Sequence, residues 1–192
     1  MAHVKDNILL KNVSGTIGKQ MNVFNRYGET YLRTTKKKKQ VEFSAMQLQS
    51  QHNFTDAVAY SKQVIKDPEM NLYYLSLARK GQSAFNVAMK DALSAPVINC
   101  IDIDEYDGNA GQELVINVAD IFRVYRVKVS IADDNDELIE EGYAVQERKP
   151  HYWTYTTTMT IQDRKPSKVM VMAEDIPGNK TTGEITLTTG SL

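Results

Sequence analysis

The sequence predicts an α+β chain, with a β-hairpin and three helices in its first half and an antiparallel β-sandwich in its second. Three observations carry this. Between Glu113 and Ile161 side chains alternate at period two: Leu114, Ile116 and Val118 form one set, and Tyr125, Val127, Val129 and Ile131 a second. Trp153, Tyr155, Thr157, Met159 and Ile161 form a third, interleaved with Thr154, Thr156, Thr158 and Thr160. Successive strand side chains point to opposite faces, so each set coats one face of a sheet. Between Val41 and Ala92 the apolar period changes to three and four, the stripe of amphipathic helices. Finally, charge is split: residues 1–95 hold 14 Lys and Arg against 7 Asp and Glu, whereas residues 96–192 hold 9 against 17.

The split divides the chain at Ala95-Pro96 into a hairpin and helical region, 1–95, and a sandwich, 96–192, although the net charge is only −1. Opposite charges on the two halves attract within one molecule or between molecules. The 192 residues, 42% hydrophobic and 24% charged, have the composition of an ordinary globular protein. No stretch is apolar long enough for a membrane-spanning helix. The first residues lack the apolar core of a signal peptide, Ile8-Leu9-Leu10 being too short, so a cytoplasmic location is the expectation. The single cysteine, Cys100, excludes an intramolecular disulfide and a multi-cysteine metal site; within the strand-like run Val97 to Ile103 a buried, inert thiol is expected.

In chain order, residues 1–15 read as an extended lead-in. Lys19–Asn25 and Glu29–Thr35 flank Arg26-Tyr27-Gly28, a turn with a glycine available for positive φ, and so predict a hairpin of two strands that must pack on something else. From Val41 the positions Ala45, Leu48, Phe54, Ala57, Val58, Ser61, Val64 and Ile65 predict a first helix, stopped at Asp67-Pro68. Pro68 suits the start of a second helix carrying Leu72, Leu75 and Ala78 and ended by Gly81. Ser83 to Leu93 predict a third, with Phe85, Ala88, Met89 and Ala92 on one face. From Val97 to Leu187 strand-like runs are separated by polar turns at 107–111, 133–136, 148–150, 163–166 and 177–179. About seven strands in roughly 95 residues, with no helix between them, is the pattern of an immunoglobulin-like sandwich.

Val169-Met170-Val171-Met172 followed by Ala173-Glu174-Asp175-Ile176-Pro177-Gly178-Asn179 resembles the final hairpin of bacterial immunoglobulin-like and fibronectin-III-like domains. Val118-Ala119-Asp120, Val124 to Val129 and Trp153 to Thr156 fit earlier strands of that family. The whole chain resembles uncharacterised bacterial proteins with an N-terminal hairpin and helical region before such a domain, through Phe54 to Tyr60, Asp67-Pro68-Glu69 and Ser83 to Val87. The resemblance implies a fold and no activity.

Catalytic and ligand motifs are weak. Gly15-Thr16-Ile17-Gly18-Lys19 departs from a phosphate loop in spacing and in Gln20, and reads as the approach to a hairpin. Asp102, Asp104, Glu105 and Asp107, and Asp133, Asp134 and Asp136, invite calcium but fit no EF-hand loop; they read as solvated turns. His3, His52 and His151 share no ligand spacing, and no Gly-x-Ser-x-Gly elbow is present, so neither a metal, a cofactor nor catalysis is expected. A hydrolase assembled from distant residues ranks third among the functional readings.

Lys36, Lys37, Lys38 and Lys39 with Arg33 form a basic run that reads as a solvated loop or as contact with an acidic half. Tyr73 and Tyr74, between Leu72 and Leu75, make a helix apolar nearly all round, buried either in its own core or by another chain. These seven residues are the candidate interaction surface. The expected function is a non-enzymatic protein-binding or self-assembly module; the alternative is nucleic-acid association through the basic N-terminal half.

Overall fold

The computed structural model describes residues 2–4, 9–10, 13–35, 42–133, 135–160 and 166–187, with the backbone alone for 2, 3, 166 and 167. The chain forms two compact units, Met1–Ser44 and Ala45–Leu192. The charge break at Ala95-Pro96 falls inside the second. The described residues form three helices and three antiparallel four-stranded sheets, and no helix among them is long and apolar enough to cross a membrane.

In the first unit the expected hairpin is β3 (Met21–Arg26) with β4 (Glu29–Thr34), joined at Tyr27 and Gly28, whose φ angles of 54° and 83° are both positive. That is the two-residue turn whose twist matches the flanking strands. The hairpin is not alone. β1 (Ala2–Val4), in the segment expected to be a lead-in, pairs with β4, and β2 (Gly15–Ile17) pairs with β3, giving the order β1-β4-β3-β2. The glycine-rich stretch at 15–19 is thus strand and turn.

The second unit begins with α1 (Ala45–Val64), α2 (Pro68–Ser76) and α3 (Ala84–Ala92). Asp67 caps α2 by accepting from the Glu69 N–H at 2.9 Å, with Pro68 in the first turn, where a missing N–H costs nothing. Ser83 caps α3. Tyr74, Ala84, Val87 and Ala88 form a small core with Tyr60, Val64, Ile65 and Met70 around it. The inward face of α3 is Ala84, Val87, Ala88 and Asp91, one position away from the expected stripe. Only Ala57 and Ser61 of α1 are buried; Leu48 and Phe54, expected on its apolar stripe, are exposed, and Val41 lies outside the described residues.

Two sheets then face each other as a sandwich. One has the order β5-β6-β10-β9, from β5 (Val97–Asp102), β6 (Glu113–Ala119), β9 (Val145–Gln146) and β10 (Tyr152–Thr156). The other is β12-β11-β7-β8, from β7 (Val124–Asp133), β8 (Leu138–Tyr143), β11 (Pro166–Asp175) and β12 (Lys180–Thr186). The chain changes sheet at Ala144, which is buried and donates its N–H to the Val127 carbonyl at 2.9 Å. Leu114, Ile116, Val118, Val127, Val129, Ile131, Trp153 and Tyr155 fill the interior as the alternation predicts.

Three positions depart from it. A register shift between Glu174 and Asp175 opposite β7 turns Tyr125 outward, 62% exposed, while Val124 points in. A second shift, between Ile98 and Cys100, changes the parity of β5 and leaves Cys100 exposed rather than buried. In both cases one extra residue moves the side chains beyond it to the other face. β10 also ends at Thr156. Its alternation continues only to Thr157, which is buried because its hydroxyl donates to the Asn109 carbonyl at 2.8 Å and accepts from the Gln112 N–H at 3.1 Å; Met159 is exposed. Glu140, on edge strand β8, points inward and ties the two sheets together. It accepts from the Tyr155 hydroxyl at 2.7 Å, the Thr158 N–H at 2.6 Å and hydroxyl at 2.8 Å, and the Met159 N–H at 3.3 Å.

Candidate functional site

Two features stand out in the second unit: a run of uncovered apolar side chains on α1 and a knot of carboxylates where α3 meets the sandwich. On α1 every residue from Ala45 to Asp56 is exposed. Met46 is 82% exposed, and Leu48 and Phe54 about half, at 45% and 51%. The packed portion begins only at Ala57.

The carboxylates are Asp91, Asp120 and Asp175, each offering an oxygen within 4.8 Å of the others. Asp91 lies near the end of α3 on its inward face. Asp120 lies in the connection from β6 to β7, and Asp175 is the last residue of β11. Asp91 and Asp175 are each 1% exposed, and Asp120 is half-buried.

The partners of each oxygen follow from local structure. Asp175 closes the β11–β12 turn: its Oδ1 accepts from the Asn179 N–H at 2.6 Å and its Oδ2 from the Asn179 side-chain amide at 2.7 Å. The same amide lies 3.3 to 3.4 Å from the carbonyls of Asp91, Ala92 and Ser94, at and just beyond the end of α3. Asp120 Oδ1 accepts from the Ile121 N–H at 2.7 Å, while its Oδ2 is buried without a partner. Asp91 Oδ2 accepts from the Tyr74 hydroxyl at 2.7 Å, and its Oδ1 is likewise buried without a partner. Tyr60 and Tyr74 share a hydroxyl contact of 2.8 Å, so the polar chain continues to α1.

The electrostatics are unbalanced. Burial pushes the Asp91 carboxyl up to about 7 against the opposing Tyr74 hydrogen bond, and the charges of Asp120 and Asp175 add to the rise. Burial also raises Asp175, with Asp120 adding, although its hydrogen bonds from Asn179 work the other way. Among the described residues none of the three takes part in an ion pair. The negative end of the α3 dipole points the same way. Three oxygen ligands with no His or Cys among them suit a hard cation. Beside the cluster a cleft of about 390 Å³ is lined by Asn53, Asp56, Tyr60, Leu93, Pro177 and Asn179 among others.

The residues singled out from sequence are scattered. Arg33 is on β4 in the first unit, with its guanidinium 5.6 Å from the Phe24 ring. Lys36, Lys37, Lys38 and Lys39 lie outside the described residues. Tyr74 is fully buried, 0% exposed, which removes it from any free surface: its ring fills the helical core and its hydroxyl is engaged on both sides. Tyr73 is half-buried against the edge of the Tyr74 ring at 5.2 Å. Asp102, Asp104, Glu105 and Asp107 are exposed, and Asp102 and Asp107 accept from backbone N–H groups two residues on. Asp133 caps its own turn, accepting from the N–H of Asn135 and of Glu137 at 2.9 Å. The carboxylates that do gather are 29 and 55 residues apart, so no local spacing marks them. One signal was available: with α3 rotated onto Ala84, Val87 and Ala88, Asp91 is a carboxylate on an apolar face.

The chain matches no protein-family model and no curated protein. Among solved structures it is similar to the crystal structure of CopC from Methylosinus trichosporium OB3b. The TM-score is 0.33, with 16% sequence identity over 48% of this chain and 89% of that one. At that TM-score the fold rests on the strand order and register described above.

Proposed function

We propose that the chain is a non-enzymatic protein-binding or self-assembly module, an immunoglobulin-like sandwich that carries a helical docking element. With the sandwich strands lettered A, B, C, C′, D, E, F and G in chain order, one sheet holds A, B, E and D and the other G, F, C and C′. This order supports the immunoglobulin-like reading. The observation that carries the binding reading is α1. Its first 12 residues are all exposed, yet a helix draws most of its stability from an apolar face buried against something. Met46 and Phe54, eight residues apart and so within about 80° of each other around the helix, supply one exposed apolar side, with Leu48 exposed on another. A second copy of this chain or another protein would cover it.

Sedimentation velocity over a range of protein and salt concentrations tests this, with the double change Met46→Glu and Phe54→Glu alongside. Association that survives high salt and is lost in the double variant supports helix-driven docking. Association that fades with salt and with Lys36 to Lys39 changed to Ser would place the contact on charge instead, because exposed charges are screened beyond about 8 Å at physiological salt. A monomer under every condition would defeat self-assembly.

A further inference from the structure

We propose that Asp91, Asp120 and Asp175 bind one calcium ion, which fastens the end of α3 to the β6–β7 and β11–β12 connections. The acidic cluster does not carry this by itself. The second observation is that two of its oxygens, Asp91 Oδ1 and Asp120 Oδ2, are buried and have no hydrogen-bond partner, and that Asp91 as a whole is 1% exposed. A buried carboxylate oxygen without a donor is unfavourable, and a structure retains it where something else satisfies it. Tyr74 already occupies Oδ2 of Asp91, so Oδ1 is the oxygen left for the cluster. Asp175 has donors on both oxygens, both from Asn179, and a carboxylate oxygen has a second lone pair to offer.

The choice of ion follows from the donors and their burial. All the donors are carboxylate oxygens, which favours calcium, magnesium or manganese over zinc or copper. Magnesium gives up its water reluctantly and usually keeps several molecules of it, whereas calcium accepts an irregular shell of protein oxygens. With Asp91 and Asp175 each 1% exposed, the burial favours calcium. Such an ion would neutralise charge that no ion pair among the described residues offsets. It would also join residues from three places in the sequence, linking the helices to the sandwich.

The test begins with the 192-residue chain stripped of metal by a chelator. Isothermal titration with calcium chloride is expected to show about one ion per chain, with magnesium at least about tenfold weaker. Calcium should raise the melting temperature and slow hydrogen exchange at the amides of α3. Terbium should also bind and luminesce on excitation of tyrosine, because the Tyr74 hydroxyl touches a ligand. Asp120→Asn should lower calcium affinity at least about tenfold, with the circular dichroism of the stripped protein unchanged. Asp104→Asn, in an exposed turn, should leave affinity as it was. Absence of binding and of any melting shift with calcium, magnesium and manganese overturns the proposal and leaves the carboxylates to share a proton. Binding that is unchanged by both Asp120→Asn and Asp175→Asn also overturns it, by placing the ion elsewhere.

Discussion

The Tyr74 hydroxyl donates to Asp91 Oδ2 at 2.7 Å, so a fully buried phenol on α2 is bound to a fully buried carboxylate on α3. The bond fixes which face of α3 turns inward, and through Tyr60 it reaches α1 as well. Tyr74→Phe keeps the ring in the helical core and removes only the oxygen. Asp91 Oδ2 then loses its donor, and the variant should be less stable by about 1–3 kcal/mol, the usual penalty for stranding a buried polar group. Urea unfolding measures this. A change below about 0.5 kcal/mol would mean that water reaches Asp91 and that the bond matters little.

Trp153 is 6% exposed and sits opposite Ile116 in the β10–β6 pairing. Trp153→Ala removes the largest side chain of the sandwich interior and should lower stability by about 3–5 kcal/mol. Chemical denaturation followed by circular dichroism checks the value. A loss below about 1 kcal/mol would mean that the two sheets close without it.

Gly142 is on edge strand β8, against the Tyr155 ring. A Cβ there would lie 2.6 Å from Tyr155 Cε2 and 3.0 Å from its hydroxyl. That ring cannot swing away, since it is buried and its hydroxyl is held by Glu140. Gly142→Ala should therefore destabilise by about 1–3 kcal/mol, as overpacking does. The double variant Gly142→Ala with Tyr155→Leu should recover part of that loss, whereas equal losses in both backgrounds would point to the backbone of β8.

Glu140 makes acid stability a testable quantity. Burial alone would raise its pKa, but the hydrogen bonds from Tyr155, Thr158 and Met159 outweigh burial and hold it below the ordinary 4.5. A lowered folded pKa adds stability that is complete above the unfolded value and is lost as pH falls through the folded one. The wild-type protein should lose stability as the pH drops below 4.5, and Glu140→Gln, less stable at neutral pH by about 1–3 kcal/mol, should show a shallower loss over that window. Denaturation curves at a series of pH values measure both. Parallel slopes would assign the acid sensitivity to other groups.

How much of this was legible in the sequence depended on whether a residue's environment is set by its neighbours in the chain. Leu114, Ile116 and Val118 were readable because period two survives along all of β6. Asp67-Pro68 marked the start of α2 because the cap and the fixed φ are local chemistry. Tyr125 and Cys100 were misplaced because a bulge is set by the partner strand and shifts parity without any mark in the strand's own sequence. The lead-in proved to hold β1, since three residues carry too little pattern to reveal a pairing with β4. Asp91, Asp120 and Asp175 come together only through the docking of α3 on one end of the sandwich, and three single aspartates in separate segments give no spacing to read.

Four strands bound the two sheets of the sandwich: β5 and β9 on one, β12 and β8 on the other. Near β5 and β12 the sheets approach closely, with Gly183 against Ile98 and Ile101. On the other side β9 is two residues long, and β8 holds a charged side chain turned into the interior. An inward carboxylate on a border strand is a poor template for a second molecule's strand, and so are very short borders. Growth of a fibre by adding strands is therefore disfavoured on this side while Glu140 stays ionised. If copies of the chain do associate, β8 and β9 should not be the strands that pair, and the amides of these two strands should keep the hydrogen-exchange rates of the monomer on association.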